Sequence, residues 1–498
     1  MKRIWNILVG MMLVVTACAL VHGQVAGFSF VNWDDDLHVA ANRAVTDPGS
    51  VSVRDHLMTP YLGYPVPVTV FSYILDHQVA GLNPSHYHVT NLLLHLLVCV
   101  TLFLAAMRLG CGTWLAAGVT LLFAIHPAVT EPVAWISGRK DVLAALFSLL
   151  SLSAFMAIPV RDRRIRARLP AFVLGLLASL SKPSALLVPI LILVLDLVRR
   201  PETPDRNRER PRPFRRWPAP AMWLVLLAVN AGLAVVAWRM EKGMGALDGS
   251  SLSGDNWLIR LLAGAGWHAR ILAWPVDLSP KYLDPVAGPA TWILVVGGVV
   301  ILALLALTVF AFIRRSPAFI GLALAVLAYA PQSGLIPLSR QYANSYVYLT
   351  LAGLVLALGA ALAPFVARLR FPFKNLVAVL VLVGLGALGY SAHHQEKVYR
   401  DGVHLWQRVM VDYPDSPQVC RNMGNAWMYR DLNEPARAAA VYEKCIEQLG
   451  NRQFFLKNLA IAHFSAGNRD LAASLFREMQ TLNPDDPIAQ KYLKLLSE

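Results

Sequence analysis

Phe28-Ser29-Phe30-Val31-Asn32-Trp33-Asp34-Asp35-Asp36-Leu37-His38 places three consecutive carboxylates just after the first apolar segment of the chain. Adjacent like charges repel. At a membrane surface they are explained by a cation, a proton or a polar substrate more naturally than by packing. A solvated loop that caps a following helix would give the same spacing. The two readings are equal on this stretch alone, and the rest of the chain has to separate them.

The surroundings are those of a membrane. Of 498 residues, 56% are hydrophobic and 15% charged, and the mean hydropathy is +0.49, too apolar for a soluble protein. The net charge of +14 would suggest nucleic acid in a soluble domain. Here the basic residues fall in short clusters between apolar runs, as in cytoplasmic loops, so the charge reports topology and nucleic acid is not an expected partner. The five cysteines show no Cys-x-x-Cys or Cys/His spacing that supports a zinc site or a thioredoxin-like dithiol. Cys18, Cys99 and Cys111 lie in or beside apolar segments.

With about 20 apolar residues as the ruler, about eleven crossings are expected. They fall near 4–22, 89–107, 114–126, 141–158, 170–181, 184–198, 219–238, 291–313, 317–332, 346–366 and 375–391. The first serves as a signal anchor with its basic end inside. Val15-Thr16-Ala17-Cys18 also resembles a lipoprotein cleavage site, but apolar character continues past Cys18. Alternate connections carry Arg108, the 161–168 cluster, the Arg- and Pro-rich run 199–216, Arg314-Arg315 and the stretch 368–374. By the positive-inside rule these are cytoplasmic. The Asp34 loop, 126–141, the Lys182 turn, 239–289 and 331–345 then share the outer side with the C-terminus. The outer side is then a periplasm or an organelle lumen, and a bacterial inner membrane, with the Asp34 loop and C-terminal region in the periplasm, fits this pattern.

The first outer loop, 23–88, is long and rich in Tyr, Trp and Pro, which suggests an amphipathic helix lying on the membrane with aromatic anchors. Within 239–289, the apolar piece from Trp257 to Trp274 is broken by Gly264, Gly266, His268 and Arg270. It reads as a re-entrant or interfacial helix, since a span there would invert everything after it.

The expected membrane domain is 1–392, and 393–498 reads as a soluble helical domain. Arg421-Asn422-Met423-Gly424-Asn425-Ala426-Trp427 matches Lys457-Asn458-Leu459-Ala460-Ile461-Ala462-His463 thirty-six residues on. Ala438, Ala439 and Tyr442 match Ala472, Ala473 and Phe476, and Pro484 closes the pattern. This is the helix-turn-helix pattern of tetratricopeptide repeats, about 2.5 of them, with Trp406 and Pro414 as a preceding half-repeat. A plain helical hairpin bundle is the alternative. Either offers a surface for a protein acceptor or partner. Cys420 and Cys445 would sit on facing helices and could pair in an oxidising compartment.

A second polar constellation, His126-Pro127-Ala128-Val129-Thr130-Glu131-Pro132-Val133-Ala134-Trp135-Ile136-Ser137-Gly138-Arg139-Lys140-Asp141, lies between two spans. Charges held there are costly unless paired or functional. Arg139 or Lys140 could hold a phosphate and Glu131 could orient an acceptor or metal. Alternatively Arg139 simply pairs with Asp141 or Glu131. Lys182, in Ser181-Lys182-Pro183, would gain a partner in a lipid-linked phosphate, and Arg340 is placed similarly on the last outer loop. For His95, a hydrogen-bonded role within the helices is the better reading. No Walker, dinucleotide, His-Glu-x-x-His or Gly-x-Ser-x-Gly motif is present.

Phe30-Val31-Asn32-Trp33-Asp34-Asp35-Asp36, His126-Pro127, Glu131-Pro132-Val133-Ala134, Gly138-Arg139-Lys140-Asp141, Ser181-Lys182 and the C-terminal repeats together resemble the transmembrane and tetratricopeptide-repeat protein O-mannosyltransferases (the TMTC family) and their bacterial relatives. The resemblance implies an all-α polytopic GT-C glycosyltransferase that takes a sugar from a polyprenyl or dolichyl phosphate on the outer face. It also implies a catalytic carboxylate in the first loop, Asp34 or Asp35, and phosphate-holding cations on later loops. Bacterial relatives often have Arg-Pro-Leu after a tyrosine pair in the first loop, where this chain has Gly63-Tyr64-Pro65-Val66-Pro67, and Asp-Arg-Tyr or Glu-Arg-Tyr before the late span, where it has Asn344-Ser345-Tyr346. This leaves Arg340 or Lys281 to substitute for the missing arginines.

The expected chemistry is therefore sugar transfer. Asp34 or Asp35 acts as general base, and Glu131, Arg139, Lys182 and Arg340 serve substrate and phosphate. No cofactor is required beyond the lipid-linked donor, though Asp34, Asp35 and Asp36 could hold a divalent cation. The rival readings are a non-catalytic membrane scaffold built around the repeats and a transporter of lipid-linked sugar. The polar residues gather in loops on one side instead of along the spans, which favours chemistry at one face.

Overall fold

The computed structural model describes residues 1–59, 64–160, 162, 164–198, 218–243, 256–283, 288–335, 340–368, 373–430 and 432–498. Expectations resting on 60–63, on 161 and 163, on the basic run 199–216, on 244–255 and 284–287, on 336–339 and on 369–372 lie outside these. The described residues are helical and form two compact units, Met1–Ala26 with Leu37–Leu278 and Asp284–Glu396, and Gly27–Asp36 with Ser279–Leu283 and Lys397–Glu498.

The first unit begins with α1 (Lys2–His22), followed by three helices of the first loop, α2 (Arg43–Thr46), α3 (Val53–Met58) and α4 (Pro67–Ala80). Next come α5 (Pro84–Arg108) and α6 (Thr113–Ala124). Asn83 starts α5 by accepting the Ser85 N–H at 3.1 Å, with Pro84 at the first helical position. The chain breaks at His126-Pro127 and bends by 56° into the short α7 (Thr130–Ala134). Pro127 removes a backbone donor, and the His126 imidazole caps the break by accepting from the Ala128 N–H at 3.1 Å.

The remaining helices of this unit are α8 (Arg139–Ala157), α9 (Ile165–Ser181), α10 (Val188–Val198), α11 (Pro218–Gly243), α12 (Trp257–Ala273), α13 (Thr291–Ile313), α14 (Ala318–Tyr329), α15 (Tyr348–Arg368) and α16 (Phe373–Glu396). Every expected crossing falls on a helix. Among the described residues, seven helices are long and apolar enough to span a bilayer alone, and the bent pair α6–α7 makes up to eight. Pro183–Val198 and Ala318–Gln332 are shorter apolar helices. The protein is thus a multi-pass, all-helical membrane protein. Outward faces of α13 and α16 remain apolar, with Val295, Leu302, Leu380 and Val383 more than half exposed, as lipid-facing surfaces should be.

The first loop departs from expectation in one respect. The short α3 has no buried residue and carries exposed Val53 and Leu57, as an interfacial helix would. The longer α4 buries Thr69, Val70, Tyr73, Ile74 and Asp76. Its Thr69 hydroxyl donates to the Ser181 carbonyl and its Tyr73 hydroxyl to the Ile136 carbonyl, at 3.1 and 2.8 Å. It belongs to the bundle, because its polar residues find partners there.

The second unit is a run of amphipathic helices, α17 (Gly402–Asp412), α18 (Pro417–Trp427), α19 (Pro435–Leu449), α20 (Arg452–Ser465), α21 (Arg469–Leu482) and α22 (Pro487–Ser497). Each packs on the next around Tyr442, Phe455, Leu459, Leu475 and Phe476. Gly424 lets α18 approach α19 closely, since a Cβ there would overlap the Tyr442 ring. Cys420 and Cys445 form a disulfide between α18 and α19.

The Asp-rich stretch, read from sequence as part of the membrane domain, groups with these C-terminal helices. Asn32 explains why. Its Nδ2 donates to the Asn422 carbonyl at 3.1 Å, and its Oδ1 accepts from Trp406 Nε1 at 3.0 Å. Trp33 packs on Trp406 with ring centroids 6.1 Å apart, and the Ser29 N–H donates to the Arg400 carbonyl at 2.9 Å.

Candidate functional site

The polar residues of the first unit are organised by the segment Thr130–Asp141. Glu131 sits in the single turn of α7, and Arg139 opens α8 with Asp141 in its first turn. Gly138 makes the tight return between them. A Cβ there would lie 2.8 Å from Pro132 Cα and 3.0 Å from the Glu131 carbonyl oxygen, so only glycine fits. Asp141 suits the positive end of the α8 dipole, whereas Arg139 and Lys140 oppose it. Cations persist at such a helix start when fixed partners hold them.

For Arg139 those partners are internal. Its Nε donates to Asn91 Oδ1 at 2.6 Å, and its Nη2 donates to the Tyr87 carbonyl at 2.9 Å and pairs with Asp76 Oδ2 at 2.6 Å. Nη1 reaches Ser72 at 3.3 Å, and the guanidinium lies 4.6 Å from the Tyr73 ring centroid. The expected partners Asp141 and Glu131 are engaged elsewhere. Arg139, expected to hold phosphate, is fully buried and joins α4, α5 and α8.

Glu131, Lys182 and Arg340 do come together. Arg340 presents Nη1 and Nη2 to the two carboxylate oxygens of Glu131 at 3.0 and 3.4 Å. Lys182, at the C-terminal end of α9 where a cation is favoured, places Nζ 2.5 Å from Asp141 Oδ1. Tyr346 links the two pairs. Its hydroxyl donates to the Arg340 carbonyl at 2.8 Å, and its ring centroid lies 5.1 Å from Lys182 Nζ. Glu131 is wholly buried, while the Arg340 side chain keeps 18% of its surface exposed. The arrangement presents two fixed cations, one of them a planar fork suited to a phosphate or carboxylate.

His268 of α12 flanks the cluster. Its ring lies 5.9 Å from that of Tyr346, and its Nδ1 is 2.7 Å from the Gly264 carbonyl and 3.0 Å from the Tyr329 hydroxyl. Burial, with a smaller contribution from Arg340, lowers its imidazole to about 4. It is a neutral wall at working pH.

Asp34 and Asp35 belong to the second unit. Asp34 adopts φ = 69°, a left-handed conformation that Asp tolerates better than most residues. Asp35 Oδ2 accepts the Val31 N–H at 3.0 Å, closing the turn on itself. The reading from sequence missed Asp76, Asn91 and Tyr346 as organisers of the polar cluster. An Asp and an Asn inside apolar helices were the available signal.

Fold and site together define a multi-pass membrane protein with a preorganised acid–base cluster between its helices. No family model matches the sequence. Mouse "Protein O-mannosyl-transferase TMTC2" is 48% identical over 93 residues, 18% of this chain and 11% of the relative. Drosophila melanogaster "Protein O-mannosyl-transferase Tmtc1" is 30% identical over 188 residues, 35% of this chain and 21% of the relative. The similarity thus spans about a tenth to a fifth of these relatives' lengths. Among solved structures, ArnT from Cupriavidus metallidurans bound to undecaprenyl phosphate is similar at 16% identity and a TM-score of 0.39, covering 96% of this chain and 81% of that one. The mycobacterial arabinofuranosyltransferase AftD has the same identity and TM-score over 78% and 28%.

Proposed function

We propose that the chain is a membrane glycosyltransferase of the GT-C kind. It moves a sugar, mannose or another hexose, from a polyprenyl or dolichyl phosphate to a hydroxyl of a protein or other acceptor on the outer face of the membrane. The observation that carries this reading is the pairing of Arg340 with Glu131 and of Lys182 with Asp141, joined through Tyr346. The sequence resemblance and the similarity to O-mannosyl-transferases support it.

In this reading Lys182 and Arg340 neutralise the departing lipid phosphate, with Glu131 and Asp141 holding them in position. Arg139 sets the shape of the α4–α5–α8 corner. The acceptor oxygen attacks the anomeric carbon, the glycosidic bond to the phosphate oxygen breaks, and the acceptor proton passes to Asp35 or Asp34. Phosphate leaves readily, so no nucleotide is needed. A divalent cation on Asp34, Asp35 and Asp36 belongs to the same proposal. The C-terminal helices, read as tetratricopeptide repeats, receive the acceptor or a partner. Their disulfide fits an oxidising compartment, the periplasm for a bacterial inner-membrane protein.

The test is incubation of membranes bearing the protein with defined polyprenyl-phosphate sugars, followed by mass spectrometry of glycosylated products. Sugar addition that depends on the protein is expected. Its absence with every lipid-linked donor, alongside intact partner recruitment through the C-terminal helices, would favour the scaffold.

A further inference from the structure

A second polar cluster lies in the first unit, built from residues that the proposed transfer does not use. Cys18 of α1 and His95 and Cys99 of α5 are each fully buried. Their ligand atoms, two Sγ and an imidazole nitrogen, lie within 4.8 Å of one another. His95 and Cys99 are four residues apart and so share one face of α5. Most buried thiols are isolated and inert. Two thiols and an imidazole converging from two helices form the donor set of a soft metal ion.

Two further features suit this use. The Tyr348 hydroxyl of α15 lies 2.6 Å from His95 Nδ1, and metal-binding histidines are characteristically held through the ring nitrogen that does not bind the metal. His95 Nε2 faces the Ala124 carbonyl at 3.1 Å, and the same carbonyl receives His22 Nε2 at 2.8 Å. If His95 turned its Nε2 lone pair to a metal, that carbonyl would still have a donor. His22 itself is held by Glu396. The Ala124 carbonyl and His22 therefore stay satisfied in either state.

We propose that Cys18, His95 and Cys99 bind a thiophilic d10 cation, Zn(II) or Cu(I), that fastens α1 to α5. On binding, the two thiols lose their protons to solvent and form two metal–sulfur bonds. The His95 proton resides on Nδ1, donated to the Tyr348 oxygen, and Nε2 supplies the third bond. Two thiolates and Zn(II) sum to zero charge, which suits a buried site; the same ligands on Cu(I) leave one net negative charge, so burial favours Zn(II) while three-coordinate soft ligation favours Cu(I).

The full-length protein, purified in detergent without a histidine tag and freed of metal by chelator, would be titrated separately with Co(II), as a spectroscopic probe for Zn(II), and with Cu(I) under anaerobic conditions. One equivalent should bind in at least one arm, and Co(II), if it binds, should give thiolate-to-cobalt charge-transfer absorption. Cys18→Ser and Cys99→Ser should abolish binding, Tyr348→Phe should weaken it about tenfold, and Cys111→Ser should leave it intact. Should the cysteine variants fail to fold, alkylation of the unaltered protein replaces them: metal should protect Cys18 and Cys99, and chelator should restore labelling. Failure of both metals to bind, binding that survives both cysteine substitutions, or a Cys18–Cys99 disulfide in the purified protein would overturn the proposal. None of these results depends on glycosyl transfer.

Discussion

Lys182 Nζ lies 2.5 Å from Asp141 Oδ1, with both side chains about 95% buried, although the residues are 41 apart in sequence. Such a pair constrains the structure strongly. Removing one member leaves a buried charge and costs about 3–5 kcal/mol, whereas replacing both by apolar residues is often close to neutral. Lys182→Met or Asp141→Leu alone should therefore destabilise the protein by that amount in detergent. The double variant should recover most of the loss, and sugar transfer should remain absent because the cation is gone. Transfer restored along with stability would assign Lys182 a purely structural role.

Arg139→Lys separates positioning from substrate binding. Lysine keeps the charge but cannot reach Asn91, Tyr87 and Asp76 at once. A loss of about 2–3 kcal/mol in stability is expected from the broken hydrogen bonds, with an unchanged donor KM in the folded fraction. Thermal unfolding and steady-state kinetics on the same preparation would measure both. An elevated KM at native stability would return Arg139 to the phosphate site.

His268 gives a pH signature. Its imidazole is pushed down to about 4 by burial, while in the unfolded chain it titrates near its ordinary value of 6.5. Above about pH 6.5 both states are neutral and the contribution is fully present. As the pH falls from there towards about 4, the unfolded chain takes up a proton that the folded state refuses, and stability declines. Unfolding measured across this window should show a slope that His268→Gln flattens. An unchanged slope would mean that His268 does not titrate as its surroundings demand.

The Cys420–Cys445 disulfide joins residues 25 apart and should stabilise the second unit by about 3 kcal/mol. In the full-length protein, Cys420→Ser with Cys445→Ser should make the C-terminal helices more susceptible to limited proteolysis, and reductant should do the same to the unaltered chain. Equal resistance in all three samples would contradict this.

The helices themselves were legible because a span of apolar residues has few alternatives, and each expected crossing coincides with one. The partners of the charges were not. Arg139 and Asp141 are two residues apart at a helix start and point to different sides, so their proximity in sequence gave the wrong pair. The true partners come from α4, α5, the end of α9 and the segment that precedes α15, whose approach is decided by packing. Asn32 and Trp33 were legible as a motif but not as anchors, since Trp406 and Asn422 lie nearly 400 residues downstream. The Cys/His cluster escaped notice because spacing within one helix shows two of its members and α1 brings the third. The carboxylates of 34–36 were visible at once, and whether one of them takes the acceptor proton is a chemical question.

The most direct measurement is sugar transfer from a defined polyprenyl-phosphate donor by the Asp35→Asn variant, set beside the unaltered protein and Asp36→Asn. With folding and membrane insertion matched, transfer should fall to background in Asp35→Asn and persist in Asp36→Asn. Full transfer by Asp35→Asn would contradict a catalytic role for that carboxylate.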